Sequence, residues 1–249
     1  MNDVIIPLLI FVAGVVSSFI NIMAGGGSVL TLGAMMLLGL DAPVANGTNR
    51  IGILFGGTSG VLAYKSENYS YFKESLILTS FTIPGAIIGA VCAINVSNLL
   101  FQRILAIVMI FIIVTLLLPK KKTQETGHTN KISRILIYPA MFCVGLYGGF
   151  IQAGVGFLIM ASLRHLLNME LLKINVHKNL IVLIYTIPVL FIFGSTNNIH
   201  WLYAFLLAMG NIVGAWASVK ISVKKGNKAI KAVLIIAMLL MLTKFLLTF

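Results

Sequence analysis

Acidic residues are scarce in this chain: Asp and Glu number six among 249 residues, against 18 Lys and Arg. None of the six falls in the middle of an apolar run, since Asp3 precedes the first run, Asp41 and Glu170 stand at run ends and Glu67, Glu74 and Glu125 lie in the loops between runs. A proton relay or a sodium site built from intramembrane carboxylates is therefore not expected, although backbone carbonyls at a broken helix can still hold a cation. Cysteine is nearly absent as well. Cys92 and Cys143 both fall in apolar runs without a CxxC pair, and they read as small packing residues. The four histidines, His128, His165, His177 and His200, are scattered, and the chain has no HExxH, no GxSxG and no paired carboxylates. No enzyme, metal or cofactor is expected from such a set.

Charge of either sign is also thin. Only 10% of residues are charged and 59% are hydrophobic, with a mean hydropathy of +1.03; a soluble domain keeps about a quarter of its residues charged. Water is not the solvent of this chain. Apolar runs of about 17 to 25 residues suit helices rather than the alternating strands of a barrel. The expected fold class is all-α: a polytopic integral membrane protein with the lipid bilayer as its surroundings. The N-terminus lacks a basic n-region and a small-residue cleavage site, so the first apolar run is expected to stay. The basic excess crowds into a few loops, which fits topology control and not nucleic-acid binding.

Ten apolar segments can be read, at about 4–21, 28–40, 44–64, 73–95, 98–118, 133–151, 157–168, 174–193, 201–222 and 229–248. The second and seventh are short. About a dozen residues make roughly 18 Å of helix, little more than half of a hydrocarbon core. Both follow a glycine cluster, Ala24-Gly25-Gly26-Gly27-Ser28 and Ala153-Gly154-Val155-Gly156-Phe157. One constant shift carries Ala24 onto Ala153, Gly25 onto Gly154 and Gly27 onto Gly156. Without a gap it also carries Leu37 onto Leu166, Asp41 onto Glu170, Asn46 onto Asn175, Ser66 onto Ser195, Asn68 onto Asn197, Phe72 onto Trp201, Gly85-Ala86 onto Gly214-Ala215 and Asn98 onto Asn227. Register kept at polar positions marks an internal repeat.

Five segments per half is an odd number, so the halves are expected to be inverted relative to each other. Charge supports this independently. With residues 220–231 placed inside, alternation puts every Lys and Arg inside except Arg50, Arg103 and Lys244. The expected organisation is repeat 1 over residues 1–119, a polar cytoplasmic linker over 120–132 and repeat 2 over 133–249.

Two constellations could carry chemistry. A glycine run before a short helix presents unpaired N–H groups at a positive helix end, and two such ends facing each other would cradle an anion. Ser28 could cap the second segment or act as a ligand. The blander reading is that the glycines only let helices approach, and that reading is taken for the GxxxG spacings Gly52/Gly56, Gly85/Gly89, Gly145/Gly149 and Gly210/Gly214.

The second constellation is Asn46, Thr48, Asn49 and Arg50, with its counterpart Asn175, His177, Lys178 and Asn179. Asn46 and Arg50, like Asn175 and Asn179, are four apart and share a helix face. Arg50 offers a permanent guanidinium suited to the oxygens of sulfite, a sulfonate or a carboxylate. The alternative is that Arg50 and Lys178 snorkel at the interfaces. Asn21 and Gln152, just before the glycine clusters, carry the same two readings. The candidate solute-binding set is thus Asn21, Gly25, Gly26, Gly27, Ser28, Asn46, Thr48, Asn49, Arg50, Gln152, Gly154, Gly156, Asn175, His177, Lys178 and Asn179, and Arg50→Ala is expected to abolish anion flux with the fold intact.

The paired glycine clusters, the run Ala45-Asn46-Gly47-Thr48-Asn49-Arg50 and the run Pro84-Gly85-Ala86-Ile87-Ile88-Gly89-Ala90 together resemble the sulfite exporter (TauE/SafE) family of bacterial permeases. The likeness covers nearly the whole chain. It departs at Val155 and Phe157, and at Val176-His177-Lys178 where many members have Gly-Thr-Ser. What the resemblance implies is a multi-pass transporter of the bacterial inner membrane for sulfite, sulfoacetate or related sulfonates. Two alternatives stand beside it: a carrier or channel for a neutral or cationic solute, and a non-transporting membrane scaffold or assembly protein. A homodimer is an assembly compatible with each.

Overall fold

The computed structural model describes residues 2–101, 103, 104, 107 and 131–248, and among them every regular element is helical. In chain order these are α1 (Asn2–Met23), α2 (Ser28–Leu37), α3 (Ala42–Ser66), α4 (Phe72–Ile94), α5 (Lys131–Phe150), α6 (Val155–Leu167), α7 (Leu171–Ser195) and α8 (Trp201–Thr248). A further helical stretch begins at residue 98. The expected segment 98–118 and the expected linker over 120–132 lie largely outside the described residues.

The expected loop over 220–231 is instead helical, and α8 runs through it with one break at Gly226 (φ 61°, ψ −154°). Lysines are good helix formers, so a basic stretch need not unwind, and glycine takes a positive φ without a Cβ penalty.

Four described helices are long and apolar enough to cross a membrane: Val4–Met23, Phe72–Ile94, Leu171–Ser195 and Trp201–Ile230. Their outward faces carry large apolar side chains such as Leu8, Ile77, Phe191 and Phe205. A surface of that kind belongs in lipid. Cys92 and Cys143 also lie on exposed surface and are not interior packing residues as their apolar context suggested. The polar start of α3 is withdrawn instead, with Asn46, Thr48, Asn49 and Arg50 all at most 1% exposed.

Positions matched by the repeat share unusual backbone. Gly25 and Gly154 have φ of 91° and 75°, and Asn68 and Asn197, which close α3 and α7, have 63° and 55°. Gly and Asn are the residues that tolerate this region. Asp41 and Glu170 are the extended N-caps of α3 and α7, with ψ of 147° and 149°.

The helices do not group by repeat. α1 and α3 pack with α8 and hold α2 against them, whereas α4 packs with α5 and α7, which in turn hold α6. Each repeat therefore lends its fourth segment to the other group, and α3 and α7 meet between the groups. Close approach explains the glycine spacings. A Cβ added at Gly85, Gly89, Gly145 or Gly149 would fall on backbone across the α4–α5 contact, and one at Gly210 or Gly214 would fall on α1. Gly89→Val is accordingly expected to push α4 and α5 apart at a cost of about 1–3 kcal/mol or more. A melting curve in detergent that matches the parent protein would refute this.

Candidate functional site

Each glycine cluster interrupts a helix inside the protein. α1 stops at Met23 and α2 starts at Ser28, while α5 stops at Phe150 and α6 starts at Val155. The two breaks touch: a Cβ on Gly25 or on Gly156 would land on the other's backbone. An interrupted helix has two unsatisfied ends, N–H groups where the second piece starts and carbonyls where the first piece stops. Buried in lipid, both need partners.

The carbonyl ends are held crosswise by the polar starts of α3 and α7. From α7, Lys178 Nζ donates to Asn21 O (2.9 Å), Ile22 O (2.7 Å) and Asn175 Oδ1 (2.8 Å), and Asn175 Nδ2 donates to Met23 O (3.1 Å). From α3, Arg50 donates to Gly148 O (3.0 Å), Gly149 O (2.5 Å) and Gln152 Oε1 (3.0 Å), and Asn46 Nδ2 donates to Phe150 O (2.8 Å). The Arg50 guanidinium also lies over the Phe193 ring, 4.9 Å from its centroid. Three acceptors surround Lys178 Nζ, a set matched to the three protons of an ammonium. A cation at a helix C-terminus meets the negative end of the dipole. Each half thus supplies the cap for the broken helix of the other.

This changes the role read from sequence for the two cations. Lys178 lies in no loop and neither side chain snorkels; Arg50 is 0% and Lys178 2% exposed. Among the described residues neither has a carboxylate partner: the ion pairs formed are Lys173–Glu74 (3.3 Å) and Lys220–Glu67, and Glu74 also lies 3.4 Å from His177 Nε2. No group of His, Cys, Asp and Glu able to hold a metal ion occurs among the described residues.

A cavity of about 30 Å³ lies between the two helix groups. Ser18, Asn21, Gly25, Ile53, Gly56, Gly57 and Asn211 wall it on one side, and Gln152, Val155, Gly156, Lys178, Asn179 and Val182 on the other. That is room for about two water molecules. A sulfite-sized anion needs a wider form.

Of the candidate residues, Asn21, Gly25, Gln152, Gly156, Lys178 and Asn179 line this cavity. Asn46, Asn49, Arg50 and Asn175 sit behind its wall, buried, with Asn49 Oδ1 accepting from the Thr31 hydroxyl at 2.6 Å. Gly26, Gly27 and Gly154 form the turns; Gly27 packs against Ser17 O, and Gly154 is the left-handed N-cap of α6.

Three expectations are corrected. Ser28 caps nothing: the N-cap position is Gly27, and the Ser28 hydroxyl accepts from Asn21 Nδ2 at 3.0 Å, closing the turn. Thr48 faces away from the cavity and accepts the His200 N–H at 2.9 Å, ahead of α8. His177 also points elsewhere, its Nδ1 2.8 Å from Ser75 Oγ and its ring stacked on Tyr71. Its helix position puts it on the α4 side of α7, about 100° round the helix from the face that carries Lys178 to α1.

Sequence reasoning missed Ser18, Asn211 and Tyr185. A lone Asn in the middle of the apolar run 201–222 was a legible signal. Tyr185, which donates to Gln152 Oε1 at 3.0 Å, carried none.

The comparisons agree in kind. "Probable membrane transporter protein ORF9" of Sinorhizobium sp is 27% identical over 95% of this chain and 91% of its own length. "Probable membrane transporter protein YfcA" of Escherichia coli K12 is 26% identical over 99% and 91%. "Probable membrane transporter protein" of Haemophilus influenzae is 25% identical over 97% and 96%. No solved structure matches the chain. The family model described as "Sulfite exporter TauE/SafE" matches residues 10–245, and with four described helices suited to crossing a bilayer, the chain belongs to that family of membrane transporters.

Proposed function

We propose that the protein is a secondary transporter, a permease of the bacterial inner membrane, that moves a small anion by alternating access. Its two repeats have inverted topology, and the favoured solute is a sulfur oxyanion or sulfonate. One observation carries this reading: two buried basic side chains, Lys178 in the wall of one cavity and Arg50 behind that wall, have no carboxylate partner among the described residues. A buried charge without a counter-ion is costly, and a bound anion supplies one. Amide and hydroxyl groups of Ser18, Asn21, Gln152, Asn179 and Asn211 complete a lining suited to oxygen-rich anions. The moving bodies would be the two helix groups, α1–α3 with the start of α8 against α4–α7, because the cavity lies on their boundary.

A second reading has one observation in its favour. All three protons of Lys178 already have acceptors, as a purely structural cap would require, and the solute would then be neutral.

Solute charge separates the two. The purified protein is expected to be stabilised by sulfite or methanesulfonate and not by neutral dimethyl sulfone, and proteoliposomes are expected to accumulate the anions only. Equal stabilisation and flux for dimethyl sulfone would overturn the anion reading.

A further inference from the structure

We infer that Gln152 is the donor through which this cavity selects an anion, and that Arg50 and Tyr185 act on the solute only by holding the Gln152 amide in place. The inference rests on the anion reading above and assigns its parts.

Gln152 lies in the turn between α5 and α6, is 1% exposed and forms part of the cavity wall. Its Oε1 accepts two hydrogen bonds, from Arg50 and from the Tyr185 hydroxyl, each at 3.0 Å. Its Nε2 has no partner. Amide oxygen and nitrogen can usually be exchanged in a side chain of this kind. Here they cannot, because a guanidinium has only donors, and turning the amide would set N–H against N–H.

Arg50 therefore fixes which end of the amide is free, and the free end is an NH₂ group with two protons. A buried donor without an acceptor is unfavourable until something supplies one. The wall opposite Gln152 carries glycines and the neutral side chains of Ser18, Asn21 and Asn211, the last with its own Oδ1 unpartnered, so a solute bearing several acceptor oxygens can take the Nε2 protons as it enters.

Arg50 itself is turned away. Its two terminal nitrogens are engaged by Gly148, Gly149 and Gln152, behind the wall rather than in it. It is a positioning residue. The arrangement is also one-sided: the repeat places Met23 opposite Gln152 and Gly56 opposite Tyr185, so no second copy of this donor exists in the other half.

The test compares Gln152→Glu and Tyr185→Phe with the parent protein, in detergent and in proteoliposomes, with methanesulfonate as probe. Gln152→Glu still accepts from Arg50 and Tyr185, so its melting midpoint without solute should equal or exceed that of the parent. Its affinity for methanesulfonate should fall by about tenfold or more, since the donor is gone and a like charge replaces it. Tyr185→Phe keeps the Arg50 contact and loosens the amide; KM should rise by about fivefold with kcat unchanged, the equivalent of one modest hydrogen bond. A purely structural role for Tyr185 would lower the melting midpoint and leave KM alone.

Parental affinity in Gln152→Glu overturns the role of Gln152 while the anion reading stands, and parental KM in Tyr185→Phe overturns the positioning role. A parent protein that fails to respond to methanesulfonate, sulfite, acetate and phosphate alike removes the anion reading, and this inference with it.

Discussion

Replacing Lys178 by methionine is expected to lower the melting midpoint of the purified protein by roughly 10 °C and to abolish anion flux. Methionine keeps most of the volume, so the effect isolates the ammonium. Its loss strands the carbonyls of Asn21 and Ile22 and the amide oxygen of Asn175. Each buried polar atom left unpaired costs about 1–3 kcal/mol. A loss of about 3 kcal/mol or more, at 2–4 °C per kcal/mol for a chain of this size, gives the shift quoted. Lys178→Arg should recover part of the stability because a guanidinium can still reach two carbonyls. A Lys178→Met protein with the parental midpoint would show that α1 does not depend on α7 for its C-terminal cap. The same logic applies to Arg50→Ala, which strips three contacts from α5 and its turn. It is expected to lose stability as well as flux, so the clean loss of flux anticipated from sequence does not survive the structure.

The second large effect is Gly25→Ala, and a matched control accompanies it. Gly25 and Gly39 have nearly the same backbone, φ 91° and 92°. Around Gly39 nothing lies within 4 Å of an added Cβ, whereas at Gly25 the Cβ would occupy the backbone of Gly156. The conformational penalty alone, about 1–2 kcal/mol, applies to both. Gly39→Ala should therefore melt a few degrees early and transport normally. Gly25→Ala adds overpacking of about 1–3 kcal/mol where the two helix breaks touch. It should yield little folded protein in size-exclusion profiles and no flux. Equal behaviour of the two variants would mean that the Gly25–Gly156 contact carries no weight.

Much of this molecule was legible beforehand because the signals are local or periodic. The glycine clusters marked both helix breaks, since only residues without a Cβ allow the positive φ and the close approach found there. The four-residue spacing of Asn46 and Arg50, and of Asn175 and Asn179, placed each pair on one buried helix face. The sense of the cations was misread. Sequence shows that Arg50 and Lys178 are present and leaves open whether they turn inward or snorkel; their partners are backbone carbonyls, and every residue has one. Composition therefore cannot say that Lys178 reaches Asn21 and Ile22 or that Arg50 reaches Gly148 and Gly149. Thr48 and His177 failed for a related reason: both share the polar start of a helix with true cavity neighbours, but a helix turns 100° per residue and carries adjacent side chains to different faces.

Hydropathy was enough to establish an all-helical membrane protein, because the bilayer forbids unpaired backbone and leaves few alternatives, and internal register pointed to two matched halves. Packing alone settled which helices keep company. The exchange of α4 and the start of α8 between the two groups, the crossed caps at the broken helices and the orientation of the Gln152 amide all depend on contacts between different helices, far apart along the chain. Such contacts are chosen by shape and by unsatisfied hydrogen bonds after the helices have formed, and no local pattern encodes them.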